Sequence, residues 1–248
     1  MSTLHRAIAG AFAGALLLSA CGASGGDQAV DTTEAGAEAT TTSEAAETTT
    51  TEAGEDAQAR AESVELTEDD FPDGWTASTP AEESIEEVLA GCSAPLGDQG
   101  TVARFQNDDF TIGSLGDADA AQFVAITEVY EDEDAAIAAV EDFGRSDVYV
   151  CIDEALKDQL DVVEGATLEG SLEKEEGLNV DVDEGTGLFA DYLFTFPEGD
   201  TQTITIGLAL LRTGDLTTTI AIVSTGDTYD VSNLGQPIDR IAELQAAA

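Results

Sequence analysis

The sequence predicts an α+β fold, with an antiparallel sheet of about five to seven strands packed against helices. Three observations carry that reading. Residues 188–196, 204–210 and 216–222 alternate apolar and small or polar side chains and are separated only by short turns, the pattern of an antiparallel meander. Glu131 to Phe143 sets Ala136, Ile137, Val140 and Phe143 on one helical stripe behind an acidic first turn. Val231 to Ala246 repeats the helical spacing with Ile238, Ile241 and Leu244.

Taken in order, residues 1–20 read as a secretory signal: His5 and Arg6, an apolar run from Ala7 to Leu18, then Ser19 and Ala20. The run is shorter than the ~20 residues a spanning helix needs. Leu18-Ser19-Ala20-Cys21 resembles the lipobox of bacterial lipoproteins. The resemblance implies a diacylglyceryl thioether on Cys21 and cleavage before it. The protein is then held on the extracytoplasmic face of the cell membrane by its N-terminal lipid, and two acyl chains anchor stably where one is marginal. A plain signal with an incidental cysteine is the alternative. Residues 21–62 follow as the lipidated cysteine and a linker of Gly, Ala, Thr, Ser and Glu, with Val30 its sole large aliphatic. Such a stretch buries too little apolar surface to offset chain entropy, so disorder is expected. Its threonine runs are possible sites of O-linked sugar.

Composition changes at Ser63, and residues 63–248 are expected to form a single domain. Thr67 to Pro72 reads as a capped turn in which Asp70 answers Thr67. Trp75 reads as a core plug, and Ser84 to Ala90 as a short helix. Val102 to Phe105, Phe110 to Leu115 and Gln122 to Tyr130 are expected strands. A second helix is expected from Ser146 through Cys151 and Ile152, although Val148-Tyr149-Val150 alone also reads as a strand. Ala166, Leu168 and Leu172 alternate ahead of the meander.

Charge and residue counts exclude more than they assign. The chain has 52 acidic and 8 basic residues, a formal net charge of −44. That field repels phosphate backbones, so nucleic acid is not an expected partner, and it suits a saline habitat, where salt screens self-repulsion. The sole histidine, His5, lies within the signal. Ser-His and Cys-His nucleophile pairs and histidine metal sites are therefore excluded from the mature chain. With Cys21 lipidated, Cys92 and Cys151 remain as an even pair in an oxidising compartment. A disulfide between them would stabilise by about 4 kcal/mol in the chain-entropy model; two buried free thiols are the alternative.

Few motifs survive scrutiny. Gly185 to Ala190 fits G-x-G-x-x-A, but a strand follows where a dinucleotide site needs a helix. Asn179 to Gly185 resembles the start of a calcium loop, yet the glycine is one place late and Ala190 stands where a bidentate Glu belongs. No cofactor or metal is expected. Tyr192, Phe194 and Phe196 form a bulky row that either fills the core or bounds a pocket between the sheet and the helix pair. Arg212, a scarce cation at a strand end, is read as an ion-pair former or an anion contact.

The stretch from Leu66 to Trp75, the pair Cys92 and Cys151, the helix at Glu131 to Phe143 and the three late strands together resemble small actinobacterial cell-envelope lipoproteins. The domain is also similar to the extracellular sensor domain of bacterial serine/threonine kinases. The resemblance implies an antiparallel sheet with a helix-flanked cleft and one disulfide. Those sensor domains typically carry a second disulfide, absent here, and no kinase or transmembrane segment accompanies this one, so signalling does not transfer. Nor does any catalytic residue. The expected function is non-enzymatic binding of a small ligand, lipid or cell-wall component by an envelope lipoprotein. A protein-interaction module of the envelope is the second reading and a carboxylate-based hydrolase the third.

Overall fold

The computed structural model describes residues 47–80, 92, 100–113, 120–160, 165–175, 178–226 and 234–248. The lipobox, residues 22–46 of the expected linker and the expected helix Ser84 to Ala90 lie outside them. The architecture is α+β. The elements are α1 (Glu47–Glu62), a 3-10 turn (Glu68–Asp70), β1 (Thr76–Ser78), β2 (Thr101–Gln106), β3 (Asp109–Ile112), β4 (Ala120–Tyr130), α2 (Glu133–Phe143) and α3 (Ser146–Leu160). There follow β5 (Thr167–Glu169), β6 (Glu173–Glu175), β7 (Glu184–Thr195), β8 (Thr201–Thr213), β9 (Leu216–Thr225) and α4 (Gly235–Ala247).

All described strands join one antiparallel sheet in the order β1-β3-β4-β9-β8-β7-β5. β2 continues β3 along the outer edge of β4, and β6 continues β5 along the outer edge of β7. Nine segments thus occupy seven positions. The meander is the centre: β8 turns into β9 at Gly214-Asp215, where Gly214 takes φ +61°. Between β7 and β8 the Phe196 and Gly199 amides donate to Asp200 and Phe196 carbonyls, closing the expected turn.

Helices cover both faces. On one, Val140, Phe143, Val148, Ile152 and Leu156 of α2 and α3 pack on Leu188, Tyr192, Phe194, Ile204, Ile206 and Leu208. On the other, α1, α4 and the entry loop pack on Phe110, Phe123, Val129, Leu211, Leu216 and Ile220. Trp75 plugs the core there as expected, and Phe71 joins it: Phe71 stacks on Phe110 at 4.2 Å and meets Trp75 at 5.1 Å. Asp70 accepts from the Thr67 amide (2.8 Å), the expected reply in the turn. Asp132 caps α2 by accepting from the Ala135 amide (2.9 Å). Residues 146–160 are helical, which resolves the ambiguity at Val148-Tyr149-Val150. Cys151 is half-buried on this helix and is bridged to Cys92, with Cα atoms 5.3 Å apart.

One expectation is corrected. Residues 47–62, read as the end of a disordered linker, form α1. The reason is tertiary. Ala57 and Ala61, one helical turn apart, are 7% and 0% exposed and let the helix axis approach the sheet closely. Gln58 Nε2 donates to the Arg104 carbonyl (3.1 Å), and Arg60 forks onto both oxygens of Asp215 at the β8–β9 turn (2.6 and 2.9 Å). Of the three three-residue strands, β1 and β6 are also absent from the sequence reading; each is held by its neighbour rather than by its own pattern.

Candidate functional site: a polar end on the helix-side face

The residues singled out from the sequence lie on the face of β7 and β8 that α2 and α3 cover, the helix-side face. Tyr192, Phe194 and Phe196 are 0%, 2% and 9% exposed and share one cluster with Ile152, Leu156 and Leu172. The Phe194 and Phe196 rings meet edge to face at 4.8 Å. The Tyr192 hydroxyl donates to Asp153 Oδ1 (2.6 Å), which also accepts from the Leu172 amide (2.8 Å); Asp153 Oδ2 accepts from Lys157 (2.7 Å). Burial and the Asp153 charge hold the Tyr192 phenol above its ordinary range. Burial works against ionised Asp153, but donation from Lys157, Tyr192 and the Leu172 amide outweighs it and holds its pKa below the usual carboxylate value. This constellation fastens α3 to β7.

Arg212 is a structural cation, 4% exposed. Its guanidinium donates to Glu184 (3.1 Å), to Glu133 at the start of α2 (3.2 Å) and to the Gly214 carbonyl (2.8 Å), with Asp183 at 3.7 Å. Asp183, from the calcium-like stretch, accepts from the Gly214 amide (2.9 Å). Gly185 and Gly187 lie inside β7, where Leu178 crosses them; a Cβ on Gly187 would stand 3.2 Å from Leu178 Cδ2. Close packing accounts for Gly187. Among the described residues, no three of His, Cys, Asp or Glu come together as for a metal ion.

The register shows what the sequence reading missed. Arg104, Glu128, Thr217, Arg212 and Glu184 are successive cross-strand partners over β2, β4, β9, β8 and β7. They make a polar row along the end of a face whose other rows, such as Val124–Ala221–Leu208–Leu188, are apolar. Glu128 is the centre, 2% exposed, with Thr217 at 0% and Thr219, two residues along β9 on the same face, at 4%. Tyr130 donates its hydroxyl to Glu128 Oε2 (3.3 Å). Glu128 Oε1 and the hydroxyls of Thr101, Thr217 and Thr219 have no hydrogen-bond partner among the described residues. The Tyr130 hydroxyl lies close enough to Thr101 and Thr217 to feel them, but not in bonding geometry. Burial pushes the Glu128 pKa up, and Arg104 and the Tyr130 hydroxyl offset only part of that. Burial and the Glu128 charge push the Tyr130 phenol above its ordinary range. Ala136 and Ala139 of α2 pack against Tyr130. The signal was present in the sequence: Glu128 is the lone charge of β4, in the same alternation as Ile126 and Tyr130.

No family model matches this chain, and no curated protein matches it. Among solved structures it is similar to the extracellular domain of PknH from Mycobacterium tuberculosis, with TM-score 0.37 and 9% identity over 77% of this chain and 97% of that one. It is also similar to LpqN of Mycobacterium tuberculosis, a protein involved in cell envelope biogenesis, with TM-score 0.31 and 7% identity over 70% of this chain and 78% of that one. Similarity at this level carries no residue-by-residue correspondence. Among the described residues, no helix is long and apolar enough to cross a membrane.

Proposed function

We propose that this protein is a lipid-anchored, extracytoplasmic module that binds rather than catalyses, and that it receives its ligand at the polar end of the helix-side face, around Glu128. The anchor reading rests on Leu18 to Cys21. The Cys92–Cys151 bridge supports export, because such bonds persist in oxidising compartments. One observation carries the binding reading: Glu128 Oε1, Thr217 and Thr219 are buried without partners among the described residues. Each such group costs about 1–3 kcal/mol, and native folds retain few of them, chiefly where a ligand, ion or ordered water completes the set. The row's other carboxylate, Glu184, pairs with Arg212, as does Glu133 of α2. A single free carboxylate does not supply the pair that carboxylate hydrolysis uses.

Two measurements test the reading. In the ligand-free protein, kept in choline buffer, Thr219→Val removes an unpartnered hydroxyl at constant shape and is expected to raise stability by about 1 kcal/mol. Native mass spectrometry of protein extracted from its own membrane is expected to show an adduct that Glu128→Gln loses. Loss of stability in the valine variant, with no adduct on the parent, would overturn it.

A second reading, an interaction module, is favoured by the reverse face of β7. There Leu193 is 40% exposed, with half-buried Phe189 four residues back on the same strand. Leu193→Lys would abolish capture of an envelope protein under that reading and leave the Glu128 adduct intact.

A further inference from the structure

We propose that the Glu128 site holds a small monovalent cation between Glu128 Oε1 and the hydroxyls of Thr217 and Thr219, with sodium as the probe. The proposal rests on the binding reading above and narrows it to one occupant. The donor set comes first. The unpartnered groups are all oxygens, a carboxylate and two hydroxyls on the neighbouring strand. The Tyr130 hydroxyl spends its proton on Glu128 Oε2, and its oxygen lies next to Thr101 and Thr217. Oxygen-only sets suit hard cations.

Charge and size then narrow the choice. Glu128 is the one carboxylate in the set, and among the described residues no group of three His, Cys, Asp or Glu gathers there as for a metal ion. A divalent ion would be left short of anionic ligands. Glu128, Thr217 and Thr219 are at most 4% exposed, and α2 lays Ala136 and Ala139 against Tyr130 beside them. An occupant with a carbon skeleton needs an opening that such enclosure denies.

The surrounding electrostatics ask for a positive charge. From β2 the facing charge is Arg104, whose attraction offsets less than burial takes away. From β8 it is Arg212, already shared among Glu184, Glu133 and Asp183. β9 contributes only hydroxyls, β4 adds Tyr130, and α2 presents alanines. Proton and cation therefore compete for Glu128, and the cation is favoured as pH rises.

The test uses the full chain, in thermal unfolding at pH 7.5 in sodium chloride against choline chloride at equal concentration. Sodium is expected to raise Tm by about 3 °C or more over choline, with a smaller increment at pH 5.5. Glu128→Gln is expected to abolish the increment. The double variant Thr217→Val/Thr219→Val, which keeps the carboxylate, is expected to reduce it. Equal Tm in the two salts, or a sodium increment that survives in Glu128→Gln, would overturn the proposal. If sodium has no effect but a polyatomic adduct is lost in Glu128→Gln, the cation is wrong and the binding site stands. If neither appears, both fall.

Discussion

Single residues decide how the chain enters and leaves the sheet. Asn107 is fully buried between β2 and β3, accepting from the Leu66 amide (2.6 Å) and donating to the Val64 carbonyl (3.3 Å). It thereby ties the entry loop to the sheet. Asn107→Ala leaves a buried amide and carbonyl unpaired, with an expected cost of about 2–3 kcal/mol in denaturant unfolding. Gly170 sits where the chain passes from β5 to β6, at φ +142°, and a Cβ there would stand 2.6 Å from the Asp191 carbonyl oxygen. Gly170→Ala is expected to cost about 2 kcal/mol or more, because both the dihedral and the close approach resist a side chain. Neither role was legible in the sequence. Asn107 is one more polar residue in a loop until the strands on either side share β4, and Gly170 is one of 24 glycines until its neighbour is known. Glu128 was closer to legible, as an acid in an inward alternation, but in a chain this acidic it does not stand out.

Elements with a strong period were legible, and those made by their surroundings were not. The meander, α2 and α4 stand close to where alternation and helical spacing put them. Pro237 falls in the first turn of α4, where its missing amide costs nothing. The Cys92–Cys151 bridge was legible from parity of cysteines and compartment, and its reduction is expected to lower stability by about 4 kcal/mol. α1 escaped notice because its buried face is made of alanines, which give little hydrophobic signal. Those alanines make a sharp test. Ala61 is fully buried against the sheet, so Ala61→Leu should overpack the seat and cost about 1–3 kcal/mol by thermal unfolding. Arg60→Ala should cost under about 1 kcal/mol, and less in high salt, because the pair with Asp215 is partly exposed.

At the scale of the whole molecule, three carboxyls pull stability in opposite directions with pH. Asp215 is held low by its hydrogen bonds from Arg60, and Asp153 by donors that outweigh its burial. Their contribution is present above the ordinary Asp value of about 3.9 and is lost as pH falls through their lower folded values. Glu128 has the opposite sign. Its folded pKa lies above the ordinary Glu value of about 4.3, so the folded state binds the extra proton and loses stability as pH rises through that window. Glu128→Gln should therefore raise Tm at pH 7 in choline buffer, with the gain shrinking towards pH 4, while acid unfolding below that pH is unchanged. A parallel loss at both ends would contradict the assignment. The docking of α1 has a mechanical consequence. If a lipid at Cys21 holds the protein, as proposed, a pull from the membrane reaches the domain through this helix. Its seat is two buried alanines, one amide on a carbonyl and one guanidinium fork, whereas β4, β9, β8 and β7 behind it are paired along 10 to 13 residues each. The helix is then expected to yield first, lengthening the tether by sixteen residues under load and sparing the sheet, an event that force spectroscopy would register as a small early step.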